Sequence, residues 1–219
     1  MCGPLSMLSP ERLSMNTHDR VYDVGVNINN AFKVVFDTYQ NLKKLLDEMD
    51  SVAQEAGFFS LLRSSFGFLR WKSDVQSHGW FPTDFIKLYQ MVSDPEHPTI
   101  SDLRLAPVYA VEIAFLQGDR PIVVAARLDY DFDMAGWESL PRTSDHGNFY
   151  WPLVGRESDF TEIPHPVYTI RQIQNHKKKF YLGIDKVVLT RKDLVSVDSK
   201  DSIASVIFGT LLELAEFQH

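Results

Sequence analysis

From Phe32 the apolar residues recur at steps of three or four, through Val35, Phe36, Tyr39, Leu42, Leu45, Leu46, Met49, Val52, Ala53 and Ala56. That is the period of one helix face, and Lys33, Asp37, Gln40, Lys43, Asp47 and Asp50 occupy the other. Asn29 or Asn30 can cap the start and Gly57 can end it. The pattern predicts a long amphipathic helix of roughly 40 Å, at about 1.5 Å per residue. An aromatic-dense stretch follows, from Phe58 to Tyr89. It predicts a short helix over 59–65 and a second one opening at Pro82 and running to about Val92, since proline suits a first helical turn.

From Pro107 the period drops to two. Val108–Leu116 and Pro121–Tyr130 read as strands joined by a two-residue corner at Gly118-Asp119. That corner sets Phe115 against Ile122, Ile113 against Val124, Val111 against Ala126 and Tyr109 against Leu128, an apolar set that forms one buried face. The opposite face, read as outward, places Glu112 diagonal to Arg127, with Asp129, Asp131 and Asp133 beyond Arg127 on the same side. Residues 131–148 read as a long loop, Phe149–Val154 as an edge strand interrupted by Pro152, and Phe180–Leu189 as a further strand. A last helix, capped at Asp198 or Ser199, is apolar nearly all round, as in a buried or interface helix. Together these elements predict an α+β fold: an antiparallel sheet around a central hairpin, covered by a long N-terminal helix and a C-terminal apolar helix. A disordered leader over residues 1–20 precedes a single domain over 21–219.

Composition narrows the class. The net charge of −7 over 219 residues repels phosphate backbones and argues against general nucleic-acid binding. No apolar run reaches the roughly 20 residues that span a bilayer, so no membrane role is expected. Cys2 is the one cysteine, so neither an internal disulfide nor a cysteine zinc site can form, which fits a cytoplasmic protein. The chain also lacks a Gly-x-Ser-x-Gly elbow, a Walker A loop and a Rossmann glycine fingerprint, which speaks against the common nucleotide-dependent and α/β-hydrolase enzymes.

Three sets of residues could carry chemistry. Asp129, Asp131 and Asp133 alternate as metal ligands would on one strand face. With Glu112, Arg127 and His165 as catalytic candidates, and His146 as the alternative to His165 in support, they would make a hydrolase or nuclease that uses a divalent cation. The same acids also serve to keep a strand end solvated. Trp71, Trp80 and Phe81, among Arg70, Lys72, His78 and Tyr89, form an aromatic region that could hold a flat ligand or a partner; a lid over the core explains them equally. Lys177, Lys178 and Lys179 beside His176 read as a solvated turn. The leading expectation is a non-enzymatic protein-interaction domain with no cofactor, bound to a protein partner or to itself as a homodimer. A metal-dependent hydrolase and an aromatic-pocket small-molecule binder are the alternatives.

Overall fold

The computed structural model describes residues 17–62, 67–132, 137–156 and 158–217. Seven strands form one open antiparallel sheet, in the order β1-β2-β3-β4-β7-β6-β5. They are β1 (Phe58–Ser60), β2 (Asp84–Met91), β3 (Val108–Ala114), β4 (Ile122–Tyr130), β5 (Phe160–Ile163), β6 (Thr169–Ile173) and β7 (Ile184–Asp193). Helix α1 spans Thr17–Glu55 and α2 spans His146–Val154. The C-terminal helix covers residues 200–216, with Ile203–Gly209 wound as a π-helix between α-helical turns. The α+β class, the antiparallel sheet around the 108–130 hairpin and the two terminal helices are therefore as the pattern predicts. No helix among the described residues is long and apolar enough to cross a membrane.

The chain divides into two compact units, residues 1–47 and 48–219. In the first, the described residues are helical from Thr17, and Lys43 and Asp47 close an i,i+4 ion pair. Most of the leader expected over 1–20 lies outside the described residues. The chain is already helical at Thr17, twelve positions before the predicted cap at Asn29, because an asparagine costs under about 1 kcal/mol inside a helix.

In the second unit the sheet is buried on both faces. One face carries Ile86, Leu88, Val108, Ala110, Val124, Ala126, Leu128, Val187 and Leu189, packed with Phe149 and Leu153 of α2. The other carries Tyr89, Tyr109, Val111 and Ile113. Here Phe58 meets Tyr109 at 5.3 Å, and Phe208 of the C-terminal helix meets Tyr89 at 5.4 Å. Met49, Val52 and Ala53, at the end of α1, are likewise buried. The C-terminal helix opens as expected at Ser199, whose hydroxyl accepts from the Ser202 amide. It buries one stripe, Ile203, Ile207, Phe208, Leu211 and Leu214, rather than its whole circumference.

Four local expectations fail for identifiable reasons. Residues 84–91 are a strand rather than a helix, because six consecutive side chains are buried and no alternation survives to distinguish the two. Residues 58–60 are also a strand, and 63–66 lie outside the described residues. Residues 146–154 are a helix rather than an edge strand; His146, Phe149, Pro152 and Leu153 recur at helical spacing and are buried. In the hairpin, Ala114 pairs with Ile122 and Tyr109 with Arg127, one residue out of step with the predicted match. The connection is residues 115–121, not two residues, since Phe115 turns to donate its amide to Thr83. All seven residues of β3 are buried, so a slip by one costs little in hydrophobic burial and the pattern could not fix the register.

Candidate functional site

The observed register changes which polar residues share a face. Glu112 pairs with Ile86 and Val124, and Val124 pairs with Arg191. Glu112 and Arg191 therefore lie on the α2 face, with Asp84 two residues before Ile86. Arg127, opposite Tyr109, lies on the other face, so the expected Glu112–Arg127 pairing does not exist.

Glu112 is 0 % exposed. Its Oε1 accepts from Gln117 Nε2 at 2.8 Å, while Oε2 is buried without a partner. Burial, reinforced by the nearby Asp84 carboxylate, pushes its pKa up to about 8 against the opposing pull of Arg191 and the Gln117 hydrogen bond. Beside it Asp84 Oδ2 lies 2.5 Å from Nε2 of His146, the first residue of α2. The His146 ring stacks on Tyr150 one helical turn on, with centroids 5.0 Å apart. Burial raises the Tyr150 hydroxyl above its ordinary pKa, with Asp84 and Glu112 acting the same way. A proton-bearing acid thus sits next to an Asp–His pair at the end of the sheet nearest the 115–121 loop. Sequence reasoning missed Asp84 and Tyr150 and weighed His146 only as a support to the metal site; Asp84 and His146 come together across 62 positions of chain.

The other sequence candidates do not gather around it. Asp129 accepts from Arg127 at 2.7 Å and pairs with Lys186 at 3.2 Å; Asp131 lies 3.7 Å from Lys178. Arg127 also donates to the carbonyls of Leu214, Ala215 and Phe217, so it closes the C-terminal end of the last helix. Asp133 lies outside the described residues. His165 Nδ1 accepts from the amides of Val167 and Tyr168, and its ring stacks on Tyr168, so it shapes a proline-flanked turn. Among the described residues no group of three or more His, Cys, Asp or Glu is placed to hold a metal ion.

The aromatic region splits. Trp71 is half-buried, whereas Trp80 is 63 % and Phe81 43 % exposed. They flank a loop tied by its own hydrogen bonds: Ser73 Oγ accepts from the amides of Val75 and Gln76, and Ser73 N donates to the Gly79 carbonyl. Gly79 is packed so closely that a Cβ there would lie 2.6 Å from Ser73 and 2.7 Å from Trp71. At the crest Val75 is 92 % exposed. The nearby cavity of about 540 Å³, lined by Asp50, Gln54, Phe58 and Phe59 among others, does not include Trp71, Trp80 or Phe81.

Fold and site together define an α+β domain with an open seven-stranded antiparallel sheet, a buried acid cluster and an apolar loop. The chain matches no family model, no curated protein and no solved structure.

Proposed function

We propose that this domain is a protein-binding module that docks through the 71–81 loop, with Val75, Trp80 and Phe81 as its contact residues. The observation that carries the reading is the exposure of Val75 and Trp80, 92 % and 63 %, on a loop whose backbone is already held by hydrogen bonds. Large apolar side chains fixed in water bind a partner without a large ordering cost, and tryptophan is the residue most enriched among interface hot spots. The net charge of −7 favours a partner with a basic rim around an apolar pocket, and the single cysteine fits a reducing compartment such as the cytoplasm. A hydrolase built on Glu112, Asp129 and Asp131 lacks comparable support, because the two aspartates are engaged by cations and Glu112 lies on the opposite face.

A photo-crosslinking amino acid placed at 75 or 80 tests the proposal in the cells that make the protein. The expected result is a discrete crosslinked species at both positions, competed away by the unmodified protein and absent with the same residue at Leu116, which is 76 % exposed on another loop. If positions 75 and 80 give nothing beyond what 116 gives, the docking reading is wrong. A crosslinked species of twice the chain mass would identify the partner as a second copy.

A further inference from the structure

At the far end of α2, three guanidinium groups gather around a cavity or just beneath it. Arg171 of β6 is buried, with only 6 % of its side chain exposed. Its Nε donates to Glu162 at 3.1 Å, and its Nη1 donates to the carbonyls of Pro152 and Leu153. Arg191 of β7 also donates to the Leu153 carbonyl, at 3.1 Å. Arg156 lies over the Trp151 ring at 5.0 Å. Arg171 and Arg156 line a cavity of about 380 Å³ whose other walls are Val154, Gly155, Phe160 and Glu162.

Two features of this place are out of balance as a purely structural cap. The first is space. Gly155 has φ +88°, and a Cβ there would come within 2.8 Å of Cζ and 2.9 Å of Nη2 of Arg171, so only a glycine lets the guanidinium lie this close to the backbone at the cavity wall. The second is charge. Burial, and after it the nearby Arg171 cation, pulls Arg191 below its ordinary value. Among the described residues that line the cavity the one carboxylate is Glu162, 68 % exposed and already bound to Arg171 Nε. Glu112, which shares a face with Arg191, is pushed by burial up to about 8. Helix-end carbonyls soften the surplus but carry no full charge.

We propose that this cavity is a binding site for a small organic anion, a carboxylate or phosphoryl group on a short apolar body, whose oxygens lie between Arg171 Nη2 and Arg156 and whose body packs on Phe160 and Val154. A guanidinium edge presents paired donors that match either oxyanion. The cavity volume lies at the small end of the range for ligand sites. Glu162 is the built-in competitor: it occupies Arg171 Nε and sets an upper limit on affinity. The site is separate from the 71–81 loop and stands or falls independently of the docking proposal.

The test uses phenyl phosphate and benzoate as probes, with neutral benzamide as control, and follows the melting temperature of the full chain up to about 10 mM ligand. At least one anion should raise it while benzamide does not; which of the two binds more tightly distinguishes a phosphoryl from a carboxylate site. Arg156→Ala, at an exposed position and so compatible with folding, should weaken binding at least tenfold, and Glu162→Gln should tighten it several-fold. No shift with either anion in the wild type and in Glu162→Gln overturns the proposal. So does a shift that benzamide reproduces or that Arg156→Ala leaves unchanged.

Discussion

The two faces of the sheet bury polar groups under different terms. On the face beneath the C-terminal helix, Lys87 is 2 % exposed, yet its ammonium meets Asp50 at 2.5 Å, and the same carboxylate accepts from the Tyr89 hydroxyl at 3.2 Å. Arg127 there has Asp129 and three helix-end carbonyls. On the face beneath α2, Glu112 has one hydrogen bond and one bare oxygen, with Asp84 close enough to oppose its ionisation. The first face resolves burial by pairing charges; the second resolves it by keeping a proton. Pairing is insensitive to pH over the ordinary range, whereas a retained proton makes stability a function of pH.

Removing the ionisable group from the second face should have the largest effect. Glu112 titrates at about 8 in the folded chain against an ordinary 4.5, so the folded state holds a proton that the unfolded state gives up across that interval. Stability from this group is complete below about pH 4.5, falls as pH rises, and is fully lost above about pH 8. Glu112→Gln abolishes that dependence. Relative to wild type it should therefore gain on the order of 4 kcal/mol between pH 4 and pH 9, since each tenfold difference in proton affinity between the two states is worth about 1.4 kcal/mol. Urea unfolding of both proteins at the two pH values measures it, and parallel curves would show that the acid is solvated after all.

Next in size is Asp50→Ala, which attacks the first face. It removes the Asp50 carboxylate from the buried Lys87 ammonium and from the Tyr89 hydroxyl. The expected loss is about 3 kcal/mol, the low end of the cost of breaking a buried ion pair, because Asp50 itself is 40 % exposed and water can reach the gap. Asp50→Asn, which can still accept from both donors, should lose less. Equal losses would show that the charge is irrelevant and that only the hydrogen bonds matter.

This contrast explains what could be read from the chain. The hairpin strands, the cap at Ser199 and the amphipathic end of α1 are local patterns, and each appears where the residues place it. Which face Glu112 occupies is not local. It depends on whether the 115–121 connection uses two residues or seven, and Val108–Ala114 offers no polar alternation to decide. A signal was nonetheless present: Glu112 stands alone among Val111, Ile113, Ala110 and Ala114, and a single acid with apolar neighbours on both faces marks a strand buried on both sides. The Asp84–His146 pair had no such mark. Its two halves lie in segments whose secondary structure is the reverse of what their composition favours, an aromatic-rich helix and a strand holding Lys87 and Gln90.

The smallest expected effect belongs to the acids that looked most like a metal site. Asp129 is 19 % exposed and shares two cations, Arg127 and Lys186, near the sheet end. Asp129→Asn keeps the hydrogen-bond acceptor and removes one charge from a partly solvated network, so the loss should stay below about 1 kcal/mol, and added salt should shrink it further. Arg127 would still hold the Leu214, Ala215 and Phe217 carbonyls, which is why the helix end should survive. Thermal unfolding at low and high salt, with and without millimolar Mg²⁺, separates the two roles of this residue. A partner in an ion-pair network gives a small salt-dependent loss and no response to the cation. A metal ligand would instead show stabilisation by Mg²⁺ in the wild type that Asp129→Asn removes, and the first face would then owe part of its balance to an ion rather than to pairing alone.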